Sequence, residues 1–179
     1  MTTIYLGLGT NIGNRKENLT RAIEALSLAL GPCTAQSTFI ETAPWGFDSD
    51  NAFLNCAVAF ETEPWGFKSN NGFLNCVAAF ETELTPFGLL DATERIEREL
   101  GRTAKSDGAN YHDRIIDIDI LLYGDTVINS ERLTIPHPLM HRRDFVLEPL
   151  AEIAPETIHP VLGMKIKELP ASHEQEKQK

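Results

Sequence analysis

Positive charge is scarce in this chain: 16 Lys and Arg stand against 26 Asp and Glu in 179 residues, a net charge of −10. Phosphate backbones are held by clustered Lys and Arg, so a nucleic-acid partner is not expected. Cysteine is also scarce. Cys33, Cys56 and Cys76 are odd in number and lack metal-ligand spacing, which argues against a disulfide framework or a zinc module and suits small buried thiols in a reducing compartment. No apolar run approaches the roughly 18 residues of a membrane span, and no charged-then-apolar leader opens the chain, so the expectation is a cytoplasmic protein without a membrane partner. The motif GxxxxGK(S/T) is absent, which excludes a P-loop. Hydrophobic residues make up 42% and charged residues 23%, ordinary values for a globular domain. One domain over 1–170 is expected, followed by a polar tail, 171–179 (ASHEQEKQK), that reads as disordered.

The chain repeats itself once. Residues 41–63 (ETAPWGFDSDNAFLNCAVAFETE) recur at an offset of 20 as 61–83 (ETEPWGFKSNNGFLNCVAAFETE), with 17 of 23 positions identical. A solenoid needs at least about three stacked units, so this is a local tandem duplication of one loop and one strand. Each copy reads as a Pro-Trp-Gly loop followed by an alternating strand, 53–60 or 73–80.

Elsewhere the pattern is regular. Residues 3–8 read as a strand. Asn14 and Glu17 form a capping box before a helix with Leu19, Ala22, Ile23, Leu26 and Leu30 on one face, ending at Gly31-Pro32. Residues 35–42 read as a second strand. Thr85 and Pro86 open a helix burying Leu89, Ala92, Ile96 and Leu100, which stops at Gly101. Residues 102–113 form a long polar loop with the composition of a mobile lid. A strand follows, then a last helix over 142–150. Strand, helix, strand, strand, helix, strand predicts an α+β fold: a ferredoxin-like antiparallel sheet with helices packed on its faces, plus an extra strand or loop from the duplication.

The richest segment is Arg114-Ile-Ile-Asp117-Ile-Asp119-Ile-Leu-Leu122. Period-two alternation predicts a half-buried strand with Asp117 and Asp119 on one face, about 6–7 Å apart, and Ile116, Ile118, Ile120 and Leu122 on the other. Like charges this close need a counter-charge. Mg²⁺ suits them, because it takes one or two carboxylates and leaves its other positions to water and phosphates; a solvated acidic strand face is the simpler alternative. Arg132, His137, Arg142 and Arg143 cluster after that strand and read as polyphosphate donors or as plain salt-bridge partners. His137 and His141 are four apart but Pro138 stands where a zinc-protease helix has Glu, so zinc is not expected. Asn55 and Asn75 could read a heterocycle edge or cap their own sheet edge. Gly7, Gly9 and Gly13 are spaced GxGxxxG, a weak match to a dinucleotide-binding turn, which leaves an oxidoreductase as a distant reading.

Taken together, Gly9-Thr10-Asn11, the Pro-Trp-Gly loop with Phe-Leu-Asn, Arg114-Ile-Ile-Asp117-Ile-Asp119, Pro136-His137-Pro138 and Arg143-Asp144-Phe145 resemble the 6-hydroxymethyl-7,8-dihydropterin pyrophosphokinases of folate biosynthesis. The resemblance covers nearly the whole chain apart from the repeat and the tail. It implies pyrophosphate transfer from ATP, as co-substrate, to the pterin hydroxymethyl group with two Mg²⁺ ions, in a monomer acting on small molecules. By position it implies Asp117 and Asp119 as metal ligands and, with Arg102 and Arg114, as the catalytic set. It implies Thr42, Pro44, Phe53, Asn55, Phe73, Asn75, Tyr111 and Phe145 at the pterin, and Glu97, Arg114, Ile120, Arg132, Thr134, His137 and Arg143 at ATP. Tyr111 stands where the family usually has a lid tryptophan. Only one repeat copy can fill a single pterin slot, and copy one (Thr42, Pro44, Phe53, Asn55) is expected there because it follows the second strand without interruption. The duplication also raises a rival outcome: an impaired variant, or a strand-swapped or edge-paired dimer.

Overall fold

A computed structural model describes residues 1–42, 72–102 and 114–170. The order is β1 (Thr2–Thr10), α1 (Arg15–Leu30), β2 (Cys33–Gln36), β3 (Ile40–Thr42), β4 (Phe73–Thr82), α2 (Pro86–Glu99), β5 (Asp117–Tyr123), β6 (Ile128–Asn129), β7 (Thr134–Ile135) and α3 (Asp144–Ile153). Local chemistry sets the helix ends. The Asn14 carboxamide oxygen accepts the Glu17 N–H at 3.3 Å while its amide donates to the Glu17 carboxylate at 2.9 Å. Gly31 closes α1 at φ 117°, where an added Cβ would stand 3.0 Å from the Glu81 carbonyl oxygen. Thr85 caps α2 by accepting the Gly88 N–H at 3.2 Å, with Pro86 in the first turn.

Every strand pairing is antiparallel, in the order β2-β4-β1-β5, with β3 also on β4. Helices α1 and α2 cover one face over Ile4, Leu6, Leu8, Phe80, Ile116, Ile118 and Ile120. Helix α3 covers part of the other face over Val77, Leu121 and Leu122. The result is an α+β fold of an antiparallel sheet between helical layers, and what α3 leaves uncovered is the site described below.

Several expectations need correction. The second strand is two strands, because three residues (37–39) oppose two of β4 between the pairs Gln36–Ala78 and Ile40–Asn75. Ser37 fills the break: its hydroxyl accepts the Val77 N–H at 3.0 Å. Thr38 turns outward, giving its N–H (3.0 Å) and hydroxyl (2.9 Å) to the Glu152 carboxylate on α3. Leu122 does not share a face with Ile120. Tyr5 pairs with Leu122 and Leu6 with Ile120, so Leu121 is an extra residue that inverts the alternation. The last helix starts at Asp144 rather than 142, after a short 3-10 turn over Met140–Arg142. Gly7 and Gly9 lie inside β1 of an antiparallel sheet, not in a strand-to-helix turn, which removes the dinucleotide reading. Among the described residues no extra strand comes from the duplication. The loop 103–113, the tail 171–179 and copy one's strand 53–60 lie outside the described residues. Among the described residues no helix is long and apolar enough to cross a membrane.

Candidate active site

Directly paired residues on antiparallel strands share a face, and this builds the site from register alone. Gly9 pairs with Asn75 on β4 and with Asp117 on β5; Gly7 pairs with Val77 and with Asp119. Two glycines thus form the floor between an amide on one side and two carboxylates on the other, roughly 10 Å apart across two strand spacings. The floor has to be glycine at position 9, since a Cβ there would stand 2.8 Å from the Asn75 side-chain oxygen. Thr42, Phe73, Arg114, Arg143, Phe145 and Val146 complete the cavity wall.

The strand in the slot belongs to copy two. Phe73 and Asn75 line the cavity, and β3, ending at Thr42 of copy one, pairs with them directly. The expectation that copy one's Phe53 and Asn55 sit beside β1 is therefore overturned. The strand beside β1 also leads into α2, and copy two runs into Thr85 through a short link. Asn75 is 6% exposed and lies on a central strand, not an edge. Its amide donates to the Thr42 hydroxyl at 2.8 Å. Each aromatic ring carries a guanidinium: Arg114 lies 5.6 Å from the Phe73 ring centroid and Arg143 5.7 Å from that of Phe145. Pro44, Phe53, Asn55 and Tyr111 lie outside the described residues.

The two aspartates differ. Both oxygens of Asp117 are held by guanidiniums, Arg102 at 2.5 Å and Arg114 at 2.8 Å. Asp119 has no ion pair of that kind among the described residues; burial, and then the Asp117 charge, push its carboxyl up to about 7. A carboxylate in that state is short of positive charge. No third His, Cys, Asp or Glu joins the pair among the described residues, so the donor set is two hard oxygen ligands, which fits Mg²⁺ and does not fit zinc.

Around the pair stands a supporting shell that sequence reasoning missed in part. Asn11 is 2% exposed; its N–H donates to the Arg114 carbonyl at 3.2 Å and its side chain accepts the Arg114 N–H at 2.8 Å. The Gly-Thr-Asn end of the first strand was the available signal. Glu97, expected at ATP, is 6% exposed and turned into the protein, where it pairs with Arg102 and accepts the Ile118 N–H at 2.8 Å. Burial pushes its carboxyl above the usual range. The side chain of Ile120, also expected at ATP, lies in the core under α1 and α2. His137 is held neutral, pushed down to about 4 by burial and then by the Arg143 charge. Its Nδ1 accepts the Leu139 N–H at 3.2 Å, which leaves Nε2–H as an uncharged donor. Arg132 is on the surface, paired with Asp91 at 2.7 Å, and Thr134 lies in β7; neither lines the cavity. Cys76, between Asn75 and Val77, turns to the other face of the sheet into the core under α1 and α2, and burial pushes its thiol up to about 12, so it is inert.

Residues 5–63 and 58–155 match the profile of the family described as 7,8-dihydro-6-hydroxymethylpterin-pyrophosphokinase (HPPK). Over 161 residues the chain is 44% identical to a 2-amino-4-hydroxy-6-hydroxymethyldihydropteridine pyrophosphokinase of Porphyromonas gingivalis, covering 89% of this chain and 95% of that one. A protein of the same name from Aquifex aeolicus is 37% identical over 168 residues, 94% of this chain and 90% of its own. In fold the chain is similar to the crystal structure of Plasmodium falciparum HPPK-DHPS with pteroate, at a TM-score of 0.68 and 18% identity, covering 97% of this chain and 44% of that one.

Proposed function

The chain belongs to the 7,8-dihydro-6-hydroxymethylpterin-pyrophosphokinase family, and we propose from this that it transfers the terminal diphosphate of ATP to 6-hydroxymethyl-7,8-dihydropterin. The products are AMP and the pterin diphosphate used in folate synthesis. The observation that carries the reading is the glycine floor with Asn75 at one end and Asp117 and Asp119 at the other. A flat bicyclic ring laid on that floor puts its polar edge against Asn75 and Thr42, its faces toward Phe73 and Phe145, and its hydroxymethyl arm toward the aspartates.

Two Mg²⁺ ions held by Asp117 and Asp119 would neutralise charge on the transferred diphosphate. Asp119 is the residue to take up the hydroxyl proton, since both oxygens of Asp117 are already held by Arg102 and Arg114. Arg102, Arg114, Arg143 and the Nε2–H of His137 donate to phosphate oxygens, with Arg132 and Thr134 at the outer end of ATP. Attack of the pterin oxygen on the β-phosphorus breaks the bond to the α-phosphate oxygen and releases AMP. Helix α3 and the aromatic walls keep water from competing. The strand order, counting β2 and β3 as one interrupted strand, supports the finer ferredoxin-like description. We read the chain as a cytoplasmic, monomeric single domain.

The test is direct. With ATP, Mg²⁺ and the pterin alcohol, chromatography should find AMP and pterin diphosphate in equal amounts, and no AMP when the pterin is left out. ADP as the product, or AMP formed without pterin, would overturn the reading.

A further inference from the structure

In this structure Asp117 is spoken for. Arg102 reaches one of its oxygens at 2.5 Å and Arg114 the other at 2.8 Å. A cation arriving at Asp117 must therefore share it with a guanidinium or displace one. Arg102 has a second carboxylate to turn to, because the same nitrogen also pairs with Glu97. Glu97 is fixed for that purpose. Its carboxylate accepts the Ile118 N–H of β5 at 2.8 Å, and its carbonyl oxygen accepts the Arg102 N–H at 2.9 Å. The side chains of Glu97 and Arg102 are only 8% and 12% exposed. The pair has little freedom to swing away, and water does not screen it.

We propose that Glu97 is a positioning residue that anchors Arg102, so that the guanidinium can yield Asp117 to a cation and still remain at the phosphate side of the site. A guanidinium shared between two carboxylates holds each less tightly than one devoted to a single partner. Removing the Glu97 charge should leave Arg102 clamped on Asp117, in competition with the metal. The inference rests on the reading of Asp117 as a cation ligand.

Glu97→Gln is the informative variant, because its amide oxygen can still accept the Ile118 N–H and the volume is kept. Calorimetric titration of Mg²⁺ in the presence of α,β-methylene-ATP, whose scissile oxygen is replaced by carbon, reads binding without turnover. We expect the Mg²⁺ concentration for half-saturation to rise at least fivefold, kcat at saturating Mg²⁺ to fall about tenfold, and the melting temperature to change little. Because Glu97 acts through Arg102, Glu97→Gln should add nothing in an Arg102→Ala background. If Glu97→Gln does not fold, Glu97→Asp, which keeps the charge but draws the carboxylate back from Arg102 by one methylene, carries the same expectation for Mg²⁺. Wild-type Mg²⁺ dependence in these variants, or losses that add in the double variant, would overturn the proposal. If the wild-type protein itself takes up no Mg²⁺ with the analogue, the reading of the site fails instead.

Discussion

Asp117 and Asp119 lie two residues apart on the same strand face and live in different electrostatic settings. Asp117 is neutralised by two arginines, while Asp119 is desolvated and pushed up to about 7. Losing either ligand removes several kcal/mol of transition-state stabilisation, so Asp117→Ala or Asp119→Ala should cut turnover by at least about 10³-fold; a variant retaining a tenth of the rate would show the assignment to be wrong. The raised carboxyl also makes a stability prediction. Folding favours the neutral form of Asp119, so its contribution is fully present below the ordinary value of 3.8 and is lost as pH rises through about 7. Asp119→Asn should therefore stabilise the ligand-free protein at pH 8 by about 1–3 kcal/mol and leave it unchanged near pH 4. Melting curves at the two pH values check this, and equal shifts at both would count against the burial argument. The aspartate pair was legible because period-two alternation is a local signal. Asn11 and the inward turn of Glu97 were not, since each depends on which segment folds over it.

At the scale of elements, the duplication decides the most. The strand sequence 53–62 (FLNCAVAFET) differs from β4 (FLNCVAAFET) only in the order of one Val and one Ala. In β4, Val77 fills the α3-side cluster and Ala78 lies under α1 and α2. The reversed order would leave a gap on one face and crowd the other. Packing thus adds to connectivity in favouring copy two. Asn75→Ala should weaken pterin binding by about 1–3 kcal/mol through unpaired buried groups, and Asn55→Ala should do almost nothing; the swap Val77→Ala with Ala78→Val should shrink that difference. Pterin titrations of the variants separate the cases, and a larger loss for Asn55→Ala would reverse the choice of copy. Helix boundaries were readable from Asn14, Thr85 and Pro86, because caps are local chemistry. The split of the second strand at Ser37 and the inversion at Leu121 were hidden, because a bulge is a mismatch between two strands and neither sequence carries it alone.

For the whole molecule the question is whether its sheet edges are open. A long unpaired edge would invite the strand-swapped or edge-paired dimer that the duplication suggests. The outer edge of β5 is partly closed: the Ile118 N–H is taken by Glu97 at 2.8 Å, and the Leu121 carbonyl accepts the His137 N–H at 3.0 Å. The other edge, among the described residues, is β2 and β3, four and three residues long and broken between Gln36 and Ile40, too short and interrupted a template to pair strongly with a second chain. A net charge of −10 adds repulsion between copies. Light scattering coupled to size exclusion should accordingly give the mass of one chain at micromolar concentration, in 1 M salt as well as at low ionic strength. The salt condition separates the two causes. If the protein is a monomer at low salt and a dimer once charge is screened, repulsion alone kept the copies apart and the edges are open after all. If it stays single, the blunted edges are sufficient.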